Sequence, residues 1–222
     1  MLFYVHTTQL LATSSNRFNS TIPLSDIRSA TRARAKPPAL SNLDNTAVHL
    51  PYPADVLNIV LHVAYGLSCI QYRPNLYTLL AAVDAMKLYG LSPALLVNPS
   101  SVLYTLILTQ APMNPILVYG TAAAHGLHYL AVAVSSYLLA FPLEAVPDKL
   151  VARMGPTYFK RLYCLQASRL RILKRILRPP PQLHPATETC SFENQKRLSR
   201  AWDLATASIA WDARAGMQLP LP

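Results

Sequence analysis

The stretch VHLPYPADVLNIVLHVAYGLSCIQYRPNLYTLLAAVDAMKLYGLS (Val48–Ser92) carries the strongest structural pattern in the chain. Pro51 and Pro53 precede a helix-compatible run, and Asp55 stands where the positive end of the helix dipole favours a carboxylate. Val56, Leu57, Val60, Leu61 and Ala64 recur at helical spacing, and Gly66 supplies the left-handed residue that ends the run. After Arg73 and Pro74 the pattern repeats: Leu76, Leu79, Leu80, Val83 and Met86 form one face, and Gly90 closes it. Two helices of about three turns, joined by a short connector, are expected to pack as a pair.

Downstream, prolines 93, 99, 112, 115, 142, 147 and 156 cut the chain into helix-length pieces. Proline cannot continue a helix and disfavours helical geometry in the residue before it. The expected helices are Ser100–Gln110, Asn114–His125, Leu127–Ala140 and Leu143–Met154. A basic helix then runs over Pro156–Leu177, and a last helix over Phe192–Trp211. On the basic helix, Leu162, Leu165, Ile172, Leu173 and Ile176 are expected on the buried side. The charge is unevenly spread. No Asp, Glu, Lys or Arg occurs from Leu88 to Leu143, whereas Lys149–Arg178 holds Lys149, Arg153, Lys160, Arg161, Arg169, Arg171, Lys174, Arg175 and Arg178 with no acid among them. This one segment supplies most of the formal net charge of +10.

Upstream, Phe3–Val5 and Ala47–Leu50 are rich in residues that favour strands, and Thr7–Phe18 reads as a short helix after a turn. Residues 20–46 are rich in Ser, Thr, Pro and Arg and are expected to be a disordered loop. The fold class expected is therefore α+β, helix-dominant, with short strands beside a helical hairpin. In composition, 52% apolar and 14% charged residues describe a chain able to bury a core, against about a quarter charged in an average soluble domain.

Residues of catalytic type form no recognisable constellation. Six glycines supply no Gly-rich phosphate loop, and the nucleophile-elbow pattern is missing. Cys69, Cys164 and Cys190 stand too far apart in sequence for a zinc or disulfide pattern. Of His6, His49, His62, His125, His128 and His184, only His125 and His128 are close, and their charge-free surroundings offer no carboxylate to complete a metal site. No catalytic, cofactor-binding or metal residue is assigned, and a hydrolase-like enzyme is kept only as a contrast. The run Ile116–Phe141 has the length of a membrane span with a basic flank, yet it contains glycines, histidines and serines. The opening residues lack the order of a secretory signal, so a cytoplasmic or nuclear address is expected. Arg17, Arg28, Arg32, Arg34 and Lys36 would also suit an import signal.

In FYVHTTQLLATSSNRFN (Phe3–Asn19), residues His6, Leu10, Leu11, Ser14 and Phe18 resemble a segment of the BTB domain, also called POZ. In Val48–Ser92 the end of that domain is matched by Tyr65, Gly66, Leu79, Leu80, Ala82, Asp84 and Tyr89. MGPTYFKRLYCL (Met154–Leu165) and QKRLSRAWDLA (Gln195–Ala205) are similar to the helical region that follows the domain in proteins of mushroom-forming fungi. Against that pattern the chain is expected to start at the strand that stands second or third, and its last helices are expected to be cut short at Pro222. The resemblance implies a shortened BTB-like domain over 1–92, a helical extension over 93–178, and a Pro-rich linker with a C-terminal helix over 179–222. It also implies a non-enzymatic protein–protein interaction module or adaptor that forms homo- or hetero-oligomers, with cullin-type ligase scaffolds as one partner class. A membrane-anchored protein with its span near 116–141 is the alternative. The basic helix is read as a solvated face, with no specific nucleic acid as partner.

Overall fold

The computed structural model describes residues 1–22 and 48–212. Of these, 69% are helical and none lies in a strand. The expected α+β class is thereby corrected to all-α. Phe3–Val5 has no neighbouring strand, and Tyr4 projects into solvent. Residues 48–50 are irregular, with Val48 exposed, and Ala47 lies outside the described residues. β-propensity reports fit to a pleated, half-buried surface, and a short segment without a partner to complete its backbone hydrogen bonds gains nothing from it. The expected loop over 20–46 falls almost entirely outside the described residues.

Two compact units divide the chain, Met1–Val134 and Ser135–Pro222. The first contains α1 (Thr7–Thr13), α2 (Ala54–Ala64), α3 (Leu76–Leu88), α4 (Pro93–Leu96), α5 (Val102–Gln110), α6 (Pro115–Ala124) and most of α7 (His128–Ser135). Helix α3 is its hub, touching α2, α4, α5 and α6. Its sequence explains this place. Leu76, Thr78, Leu79, Leu80, Ala82, Val83, Ala85 and Met86 are all buried, so the helix is apolar round most of its circumference. Side-chain caps fix the starts of three helices. Asn75 accepts from the Thr78 amide, Ser101 from the Tyr104 amide, and Asn114 from the Leu117 amide, each satisfying a donor that has no partner inside its helix.

The second unit contains α8 (Asp148–Leu177) and α9 (Phe192–Asp212), preceded by two short 3-10 turns, Ser136–Leu138 and Leu143–Ala145. Helix α8 is broken at Gly155, whose φ of 76° and ψ of 163° are not helical, immediately before Pro156. The basic helix thus begins where the sequence places it, while 148–154 forms a separate helical segment. Ile172 and Ile176, expected to be buried, are exposed, at 48% and 66%. They lie beside the line of Leu162 and Gln166, which is the buried line of the helix.

Candidate functional site

The pattern residues near the N-terminus close onto the end of the α2–α3 pair. Ser14, buried, donates its hydroxyl to the Tyr89 carbonyl at 2.6 Å and accepts from the Phe18 amide at 2.7 Å. The Ser15 amide donates to the Gly90 carbonyl at 2.9 Å, and the Asn16 side-chain amide to the Leu88 carbonyl at 2.8 Å. The Asn16 bond caps the last carbonyl of α3, and the other two satisfy the carbonyls of Tyr89 and Gly90 just past its end. The Phe18 ring stacks on Tyr89 with centroids 4.2 Å apart and planes 9° off parallel, and the edge of Tyr52 meets Tyr89 at 6.0 Å.

This clasp constrains the backbone on both sides. Arg17, Phe18, Asn19 and Ser20 all have positive φ, between 52° and 61°, a run that costs about 1–2 kcal/mol per non-glycine residue. What offsets the cost is local: Asn16 accepts from the Asn19 amide at 2.8 Å, Thr21 donates to the Phe18 carbonyl at 2.6 Å, and Phe18 is buried. Opposite, Gly90 has φ of 70°, and a Cβ there would fall on the Asn16 side chain and lie 2.7 Å from the Asn16 backbone nitrogen. Glycine is needed for both reasons.

At the other end of the pair, the His6 amide donates to the Tyr65 hydroxyl at 2.6 Å. His62 is held by a carbonyl and a phenol. Its Nδ1 lies 2.7 Å from the Asn58 carbonyl, which only accepts, so Nδ1 carries the proton and Nε2 accepts from the Tyr72 hydroxyl at 3.2 Å. This fixes the connector that runs between the two helices. Four large side chains of the connector and the first turn of α3 nevertheless face solvent: Leu67 at 58%, Ile70 at 55%, Tyr72 at 50% and Tyr77 at 64%.

The histidines considered for metal binding are placed apart in role. His125 caps α6 and His128 opens α7, with Gly126 at φ of 66° between them, so the two do not share a helix face. His125 Nε2 lies 2.6 Å from Asp84 Oδ1, which braces α3 against the end of α6, and its side chain is almost wholly buried. Sequence reading missed this pair because nothing in a lone Asp and a lone His 41 residues apart signals contact. Among the described residues, no group of three or more His, Cys, Asp or Glu could hold a metal ion, and no helix is long and apolar enough to cross a membrane. Ile116–Phe141 is divided between α6, α7 and a 3-10 turn. Cys69 is buried, and burial pushes its thiol above the usual range, which makes it a poor nucleophile.

In the second unit, α8 and α9 are joined by polar contacts. Gln195, buried, forms a reciprocal pair with His184, accepting from its amide at 3.2 Å and donating to its carbonyl at 2.9 Å. The Trp202 indole donates to the Leu177 carbonyl at 3.1 Å, capping α8. Gln166 donates to the Leu138 and Phe141 carbonyls at 2.9 and 2.7 Å, and Arg169 to the Leu139 carbonyl at 2.6 Å.

No family model matches the chain, and no curated protein or solved structure matches it.

Proposed function

We propose that the chain is a non-enzymatic protein–protein interaction module that self-associates through the connector end of its α2–α3 pair. The observation that carries this reading is the exposure of Leu67, Ile70, Tyr72 and Tyr77 on a connector that is otherwise pinned in place. Large apolar and aromatic side chains presented by a fixed backbone lose little entropy on being covered, and tyrosines are enriched in the centres of protein interfaces. Kinship with the helical part of BTB domains is part of the same proposal. It is supported by the way residues that carry the resemblance meet across the sequence: Ser14 and Phe18 on Tyr89, and His6 on Tyr65.

Sedimentation of the full chain over a range of concentrations tests the proposal. A concentration-dependent dimer is expected, and Ile70→Glu combined with Tyr77→Lys should hold the chain monomeric with its helical circular dichroism unchanged. A chain that stays monomeric throughout, or a double variant that dimerises as the wild type does, would remove the proposal.

A further inference from the structure

We infer that the C-terminal half of α8 is a peripheral docking helix for anionic lipid surfaces. Lys160, Arg171, Lys174, Arg175 and Arg178 are all exposed. At about 100° per residue they fall within an arc of roughly 100° on the helix, so their fields add on one side. Among the described residues, Lys160, Lys174, Arg175 and Arg178 form no ion pair with a carboxylate. From Lys149 to Thr187 the sequence holds no acid at all, and Asp203 of α9, which lines one groove with Lys174 and Arg178, forms no ion pair with either. A surface of this kind fits an extended array of negative groups.

Ile172 and Ile176 decide which array. One turn apart and exposed, they border the stripe next to Arg175. Phosphate backbones of nucleic acids would satisfy the cations and leave both isoleucines in water. At a bilayer surface the cations meet lipid phosphates and carboxylates while the isoleucines enter the boundary of the acyl chains, so both kinds of exposed group gain. The helix starts at the Gly155–Pro156 break and is stopped by Pro179–Pro181, which gives about six turns to lie on a surface.

Vesicle flotation of the full chain tests the inference, with vesicles of phosphatidylcholine alone and vesicles containing roughly one-third phosphatidylserine, enough anionic lipid for the stripe to sense. Floating with the mixed vesicles only, and release as salt is raised, are expected. Arg175→Gln with Arg178→Gln should weaken binding on the order of 20- to 30-fold, about fivefold for each cation, while the Lys pair at the same positions should retain it. Ile172→Ser with Ile176→Ser should weaken it on the order of tenfold without changing charge. Because all four positions are exposed, circular dichroism should be unchanged. Failure to float, indifference of binding to the isoleucine pair, or preferential binding to duplex DNA or RNA unaffected by that pair would overturn the inference.

Discussion

The α2–α3 pair and the α8–α9 pair are each two helices with a connector, yet different chemistry holds them. In α2–α3 the facing residues are aliphatic and almost completely dry: Val60, Leu79, Ala82 and Val83 have no solvent exposure. In α8–α9, Gln195 is the one buried side chain of α9 among the described residues, and the junctions are made by amide and indole donors aimed at carbonyls. Hydrophobic burial is non-directional and grows with area, so α3 can serve four neighbours at once. Hydrogen bonds are directional and contribute only about 0.5–1.5 kcal/mol net, but leaving a buried group unpaired costs more. The α8–α9 junction is therefore held in register by a few polar contacts more than by area.

The comparison breaks most visibly at Leu80. Leu80→Ala should lower unfolding free energy by roughly 2–5 kcal/mol in urea titrations, the range for a packed leucine that leaves a cavity. Leu61 is only half-buried on α2 and should lose less, while Lys87→Ala, exposed on α3, should stay within about 0.5 kcal/mol. Equal effects at all three positions would mean that α2–α3 is not the aliphatic core described.

A smaller effect is expected in the second unit, and it separates the two chemistries. Gln166 is buried and holds two carbonyls. Gln166→Leu adds apolar area of similar size but leaves both carbonyls unpaired, and it should destabilise the α8 region by about 1–3 kcal/mol, read from amide hydrogen exchange along the helix. If burial dominated here as it does in α2–α3, the leucine would be neutral or stabilising.

Legibility in the sequence followed the same division. The ends of α2 and α3, the Gly66 and Gly90 stops, the break before Pro156 and most of the α2–α3 core were readable, because periodicity and Pro or Gly punctuation are local signals. The strands at Phe3–Val5 and Ala47–Leu50 were misread, because strand formation depends on a partner that the local sequence does not show. Leu61 was placed too deep and Ile172 and Ile176 on the wrong side, because a helical face is wide and its edges are set by neighbours. The Asp84–His125 brace and the polar clasp of Ser14 and Asn16 on α3 were invisible, since each joins residues dozens of positions apart through single side-chain atoms.

The smallest expected effect tests the clasp where the two chemistries meet. Tyr89 has no solvent exposure, its ring stacks on Phe18 and makes a T-shaped contact with Tyr52, and its hydroxyl is buried with no hydrogen-bond partner among the described residues. Tyr89→Phe keeps the ring stack and removes the unpaired hydroxyl, so stability at neutral pH should be unchanged or raised by up to about 1 kcal/mol. The pH dependence gives the sharper reading. Burial, with a smaller contribution from Tyr52, raises the Tyr89 phenol above its ordinary value of 10.0. The folded state therefore binds this proton more tightly than the unfolded chain does. Its contribution to stability is full below about pH 10 and is lost as the pH rises through the higher folded value. Wild-type stability should fall more steeply than that of Tyr89→Phe in alkaline urea titrations above about pH 10. Parallel curves would show that the phenol is solvated in the folded chain, and that the Phe18–Tyr89 contact is looser than the stacked clasp requires.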